Sequence, residues 1–374
     1  MEQLLQGILN LTPGEVLMFA IGGLLIWLAI AKEYEPTLLL PIGLGAILAN
    51  IPHSAAIGVD GEPGILTFLF DNGIRTELFP LLIFVAIGAM IDFGPLLQNP
   101  KMLLFGAAAQ FGIFFTFCLA AALHFTLKES ASIGIIGAAD GPTSIVVANR
   151  FAPHLLGPIT VAAYSYMSLV PIIQPPIIRL LTTQAERRIR MDNLHFRSVS
   201  RRTRIIFPVA VALFAGLLVP SAASLIGMLM FGNLLRESGV VERLSKGAQN
   251  ELANIVTLLL GISIGAVMTA DEFLDSRTLM ILGMGIVAFV FDTAGGVLFA
   301  KLLNLFLKHK INPMIGACGI SAFPMSGRVV YKMGLAEDPQ NHLLMQAISC
   351  NVGGQLGSVV AGGLILRSEE RRVG

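Results

Sequence analysis

The stretch Gly134-Ile-Ile-Gly-Ala-Ala-Asp-Gly-Pro-Thr-Ser144 sets one carboxylate, Asp140, inside a run that is otherwise apolar from Ile133 to Val147. Pro142 has no amide hydrogen and biases Gly141 away from the α region, so a helix entering this run must stop near Asp140 and restart beyond Pro142. The break leaves backbone carbonyls beside a carboxylate, and hard cations take oxygen ligands of this kind. At membrane depth, non-helical backbone persists only inside protein or along a wet cavity, and an ionisable group there marks a functional site. The competing structural reading is a kinked helix whose Asp caps the second half.

A second broken stretch carries Asn312, Gly316, Ser321, Ser326 and Arg328. Within Pro324-Met-Ser-Gly-Arg-Val-Val-Tyr331, Arg328 is expected to be buried, and there it needs an anionic partner or a watery cavity. Candidate partners are Asp140 and a substrate carboxylate held bidentately; snorkelling to the interface is the alternative. Tyr166 offers a phenol beside the break at Pro171, and Tyr164 reads as an interface anchor. Asp292 is a further acid in an apolar run, serving either a pathway or a local cap.

The two stretches are related by an internal repeat. Shifted by 182 residues, Gly134, Gly137, Pro142 and Ser144 fall on Gly316, Gly319, Pro324 and Ser326. Upstream, Ile87-Gly-Ala89 matches Ile264-Gly-Ala266, and downstream Gln174 and Gln355 close two further broken runs. Paired repeats, each with an interrupted hydrophobic segment, point to a transporter whose ion site lies at the midplane between them.

The elements that must position these residues are those of an all-α polytopic membrane protein. Hydrophobic residues make up 55% of the chain and charged residues 13%, where a soluble domain has roughly a quarter charged. A net charge of +1 gives no basic surface for nucleic acid. The three cysteines, Cys118, Cys318 and Cys350, lie in apolar runs without CxxC spacing, and the six histidines form no metal-binding pair. No cleavable signal is read at the N-terminus, so the run 16–31 is expected to remain as a helix. Several apolar runs span about 14 residues, short of the ~20 that a lipid-facing span requires, so they read as tilted, interrupted or re-entrant pieces shielded by neighbours. Residues 64–75 read as a short amphipathic interfacial helix, and 236–251 as a surface connector.

The expected organisation has N-terminal transmembrane and interfacial helices over 1–76 and a first transmembrane repeat over 77–182. A basic cytoplasmic loop with connecting helices follows over 183–250, then a second repeat over 251–366 and a tail over 367–374. Residues 186–204 hold seven arginines against two acids, which places that loop in the cytoplasm. Inverted repeats would place the tail outside, against its three arginines.

Gly137-Ala-Ala-Asp-Gly-Pro-Thr-Ser144, Ala163-Tyr-Ser-Tyr-Met-Ser-Leu-Val-Pro-Ile-Ile-Gln-Pro-Pro176 and the run from Asn312 to Arg328 together resemble the β subunit of biotin-dependent, sodium-translocating decarboxylases. That family serves oxaloacetate, methylmalonyl-CoA, malonate or glutaconyl-CoA, and the likeness runs from Pro36 to Leu366. The resemblance implies decarboxylation of carboxybiotin coupled to outward sodium movement, with a proton consumed. It also implies an elevator-type fold of inverted repeats, a homotrimer in the inner membrane, and three partners: a carboxyltransferase, a biotin carrier and a small membrane-anchoring subunit. The family's functional positions fall on Asp140, Tyr166, Asn312, Gly316, Ser321 and Arg328. From their chemistry, Asp140, Thr143, Ser144, Asn312, Ser321 and Asn351 are the candidate sodium ligands. Tyr166 is the candidate proton relay, Arg328 the candidate holder of carboxybiotin, and Gly316 a space-making position. The rival from another class is a sodium symporter or sodium/proton antiporter without biotin chemistry.

Overall fold

The computed structural model describes residues 7–34, 36–59, 61–191 and 199–373, without the side chains of 368–373. Thr12 and Glu15 close a capping box around Pro13 and start helix α1 (Pro13–Lys32), which ends where Glu33 turns into the left-handed region. Helix α2 (Pro36–Ala49) follows, then a two-residue hairpin of Gly58–Val59 and Glu62–Pro63. Residues Ile65–Leu69 continue through a π-turn at Phe70–Ile74 and bend by 63° into α3 (Leu78–Met90). The expected interfacial helix is thus one limb of a bent pair, burying Leu66, Phe70 and Ile74 and exposing Ile65 and Phe68.

Helices α4 (Leu103–Ala109) and α5 (Phe111–Ala122) meet at Gln110, and α6 (Leu127–Gly134) begins on a second capping box, Thr126 with Glu129. A 3₁₀ turn, Ile135–Ala138, then leads to the break and to α7 (Gly141–Phe151). Helices α8 (Leu156–Ser168) and α9 (Val170–Leu181) form a second bent pair, at 66°. The second half contains α10 (Arg201–Leu218), α11 (Ala223–Ser238), α12 (Ala253–Ala266) and α13 (Ser276–Phe306). After a 3₁₀ segment, Pro313–Gly319, come α14 (Met325–Glu337) and α15 (Leu344–Val373).

Among the described residues, four helical stretches are long and apolar enough to cross a membrane: Pro13–Lys32, Pro100–Ala122, Ser276–Phe306 and Leu344–Arg367. With the two bent pairs the number rises to six. The protein is therefore all-α and polytopic. The short apolar helices are shielded by each other: α2 of the first half packs on α12 of the second, and α3 of the first on α11 of the second. Each of these pairs sets an earlier helix of one half on a later helix of the other. Small residues make these crossings close; a methyl on Gly265 would lie 2.5 Å from the Gly45 Cα.

The basic segment is only partly loop. Ser200 caps α10, so Arg201, Arg202 and Arg204 open a helix, while Arg197 lies outside the described residues. Arg187 and Arg190 pair with Glu337 and Asp338 at the end of α14, each at 2.6 Å. The connector at 236–251 is a helical turn, Glu242–Gly247, that runs through a π-turn into α12 and leaves Val240 and Leu244 exposed.

Helix α13 lies against both 3₁₀ segments, and its Gly296 abuts Gly316 backbone to backbone. A methyl at position 316 would overlap the Gly296 carbonyl oxygen, so this position makes space. Gly316→Ala is expected to destabilise the protein by about 1–3 kcal/mol, the usual cost of overpacking. Thermal unfolding in detergent checks this, and an unchanged Tm would show that the crossing tolerates a methyl.

Candidate functional site

Asp140 stands where the first broken segment restarts. Ala139 sits in the left-handed region at φ 51°, which ends the 3₁₀ turn, and Asp140 is the N-cap of α7. A non-glycine residue held there stores roughly 1–3 kcal/mol of strain, which the surrounding packing must offset. Asp140 is nearly fully buried, and its two oxygens differ. Oδ2 accepts from the Thr143 hydroxyl at 2.7 Å, the Ser358 hydroxyl at 2.9 Å and the Gln355 amide at 3.2 Å. Oδ1 accepts a longer bond, 3.3 Å, from the Thr143 amide. The carboxylate is thus anchored by one oxygen and presents the other.

The second broken segment reaches this point through Ser321. Its amide donates to the Ala138 carbonyl at 3.0 Å, joining the two breaks directly. Its hydroxyl lies within hydrogen-bond reach of both the Ser358 hydroxyl and the Gly354 carbonyl, so Ser321 and Asp140 are linked through one intervening hydroxyl. Both segments and α15 therefore converge on the carboxylate. A cavity of about 240 Å³ opens beside it, lined in part by Asp140, Tyr164, Ser321, Arg328 and Gln355.

The other candidates fall variously. Thr143 lies on Asp140, and Ser144 donates back to the Asp140 carbonyl at 2.8 Å. Asn351 donates to the Ile320 carbonyl at 2.7 Å, while its own buried carbonyl oxygen meets no partner among the described residues. Arg328 corrects the expectation of a buried side chain: it is exposed and lines the cavity, without a hydrogen bond or ion pair among the described residues. Its guanidinium is free to receive an anion.

Tyr166 is turned away from this cavity. Its ring packs on Gly285 and its hydroxyl donates to the Leu282 carbonyl of α13. Tyr164, expected at the interface, is instead buried beside Asp140, its ring lying over Gly141 and its hydroxyl without a partner among the described residues. Two residues along a helix rotate a side chain by about 200°, so the two phenols face opposite ways.

Asn312 is not brought to Asp140. It caps the 3₁₀ segment by accepting from the Met314 amide at 3.1 Å, and its amide donates to the carbonyls of Arg187 and Ile189 at 2.8 and 3.0 Å. Seven residues of 3₁₀ helix, at ~2 Å rise each, separate it from the Ser321 end. Ser358 and Gln355 also reach Asp140; the repeat marks Gln355 only as the mate of Gln174, and Ser358 carries no motif. Their three-residue spacing on one helix face was the available signal.

The fold and site define a class: a polytopic helical membrane protein with a buried carboxylate where two interrupted helices meet. Residues 14–368 match the profile of the family described as Na+-transporting oxaloacetate decarboxylase beta subunit. The chain is 48% identical to the oxaloacetate decarboxylase beta chain of Klebsiella pneumoniae, with 96% of each chain covered. It is 52% identical to the methylmalonyl-CoA decarboxylase subunit beta of Veillonella parvula and 50% identical to the glutaconyl-CoA decarboxylase subunit beta of Acidaminococcus fermentans, with 96% of this chain and 94% of each relative covered. The chain belongs to this family of decarboxylase β subunits, and such a subunit works with partner subunits.

Asn312 depends on an electrostatic tie outside the membrane-spanning segments. The Arg187 guanidinium, bonded to Glu337, holds that carboxyl below the ordinary glutamate range. A carboxyl whose folded pKa is depressed stabilises the fold above its unfolded value of about 4.3, and the contribution is lost as pH falls through the folded value. Glu337→Gln is therefore expected to lower Tm at neutral pH and to match the wild type in acid. Melting curves across pH check this; parallel curves with a constant gap would assign the effect to packing instead.

Proposed function

We propose that this chain decarboxylates carboxybiotin, presented by a partner subunit, and uses the free energy released to move sodium outward. The observation that carries the reading is the junction of the two breaks at Ser321 and Ala138, with a buried carboxylate and an open arginine on one cavity. Decarboxylation breaks the bond between the biotin ring nitrogen and the carboxyl carbon. Carbon dioxide leaves and the nitrogen takes up a proton, so one proton is consumed. Arg328 holds the incoming carboxylate, its planar fork matching two oxygens.

Sodium binds at the presented oxygen of Asp140. The Thr143 and Ser358 hydroxyls and Ser321 behind them supply further oxygen, with Ser144 and Asn351 at the margin. One buried carboxylate does not hold sodium and a proton together, so Asp140 alternates between them. Tyr164, which lines the cavity and whose buried hydroxyl has no partner among the described residues, is better placed than Tyr166 to pass the proton. Gly316 and Asn312 set the position of the second segment. Reciprocal packing of the two halves supports inverted repeats, with one body moving in an elevator-like manner against the other. The partners are a biotin carrier, a carboxyltransferase and a small anchoring subunit, assembled around a β trimer in the inner membrane.

The reconstituted complex is expected to release carbon dioxide from free carboxybiotin only with sodium present. Ion exchange without any biotin partner would support a secondary transporter instead. Arg328→Lys keeps the charge but loses the fork, so turnover should fall at every sodium concentration; near-normal turnover would remove Arg328 from carboxylate binding. Ser321→Ala should raise the sodium concentration for half-maximal activity about tenfold, as expected for loss of a contact of ~1.4 kcal/mol, with the rate recovering at high sodium. A fall in turnover that sodium does not rescue would place Ser321 on carboxybiotin rather than on the ion.

A further inference from the structure

We infer that Asp292 is a second binding carboxyl, specific for a proton, set behind the first broken segment. It lies midway along α13 and is fully buried. Its oxygens lie near the amides of Gly112 and Ile113, which open α5 after the break at Gln110, but the Ile113 amide donates to the Gln110 carbonyl at 3.1 Å and neither oxygen completes a standard hydrogen bond among the described residues. On the other side lies the first 3₁₀ turn: a methyl on Gly137 would sit 2.8 Å from Oδ2.

Among the described residues no charge offsets this carboxyl. The facing elements, α5 and Ile135–Ala138, hold Cys118 as their one titratable side chain, and it is exposed. Other ionisable groups packed along α13 are engaged or turned elsewhere. Lys301 is bonded to Leu181 and Glu186, Glu129 to His154 and Arg277, and Cys318 to the Ser326 carbonyl. Tyr166 bonds Leu282, Tyr164 faces the Asp140 cavity, and Lys128 and Arg179 are exposed. An unpaired carboxylate in such a place costs several kcal/mol.

The ligand must therefore be small and positive. A hard metal cation needs several oxygen ligands, whereas Asp292 is closed in by the backbone at Gly112 and Gly137. A proton needs one acceptor for the resulting O–H, and the Ala288 carbonyl, one turn back, lies against the same point of Gly112 as Oδ1.

Gly137 is three residues before Asp140, so any displacement of the first broken segment that opens Asp140 also uncovers Asp292. Proton binding here is then linked to sodium occupancy there, a step that rests on the function proposed above. Infrared spectroscopy of the purified complex tests both parts. In saturating sodium at neutral pH, the wild type should show a protonated-carboxyl stretch that Asp292→Asn lacks, since the amide keeps the shape and the bond to Ala288. The pH at which the wild-type band disappears should move by about one unit when sodium is removed, a tenfold coupling. A wild-type spectrum without such a band, read with no variant at all, overturns the proton site. A band that persists in Asp292→Asn assigns the proton elsewhere. A band at Asp292 whose titration ignores sodium overturns the linkage.

Discussion

The structure depends on keeping one carboxylate inside an apolar bundle. Removing Asp140 from water costs far more than any single contact returns, so the chain surrounds it with three side-chain donors from two helices: Thr143 from its own helix, and Gln355 and Ser358 from α15. All three act on one oxygen. This asymmetry fixes the orientation of the carboxylate through one oxygen and leaves the other with a single longer contact, from the Thr143 amide. The Ser321 amide on the Ala138 carbonyl completes the arrangement by closing one break against the other.

Two interrupted segments require partners for their freed backbone groups, and the repeat supplies them. Each half uses the other: α2 covers α12, α3 is covered by α11, and α13 is packed against both 3₁₀ turns. Glycine at the crossings lets backbones approach until they exclude lipid and water, as at Gly296 with Gly316. The apolar helices too short to span alone are therefore internal elements of a reciprocal pair. The basic turn after α9 adds a polar tie through Arg187, whose carbonyl receives Asn312 and Asn341 and whose guanidinium holds Glu337.

Much of this was legible in the residues. The Gly141-Pro142 pair beside Asp140 points to a break there, although other helices run through Pro41, Pro175, Pro176 and Pro208, and the matched glycines and prolines disclose the second break. What stayed hidden depended on the direction of side chains. Tyr164 and Tyr166 are equivalent in composition, and helix phase decides which one meets Asp140. Asn312 is chemically a good cation ligand, but as the N-cap of a 3₁₀ segment its side chain serves the backbone. Ser358 carries no motif, and its role arises because α15 passes beside a segment 218 residues earlier in the chain. Arg328 sits in an apolar run yet is exposed, because the cavity reaches it from outside.

The central claim is that Asp140 carries the ion. Equilibrium binding of radiolabelled sodium to the purified protein, wild type against Asp140→Asn, tests it without requiring turnover or a biotinylated partner. The account predicts saturable binding in the wild type and its loss in the folded variant, since the amide preserves shape and removes the charge. Undiminished sodium binding by Asp140→Asn would contradict it.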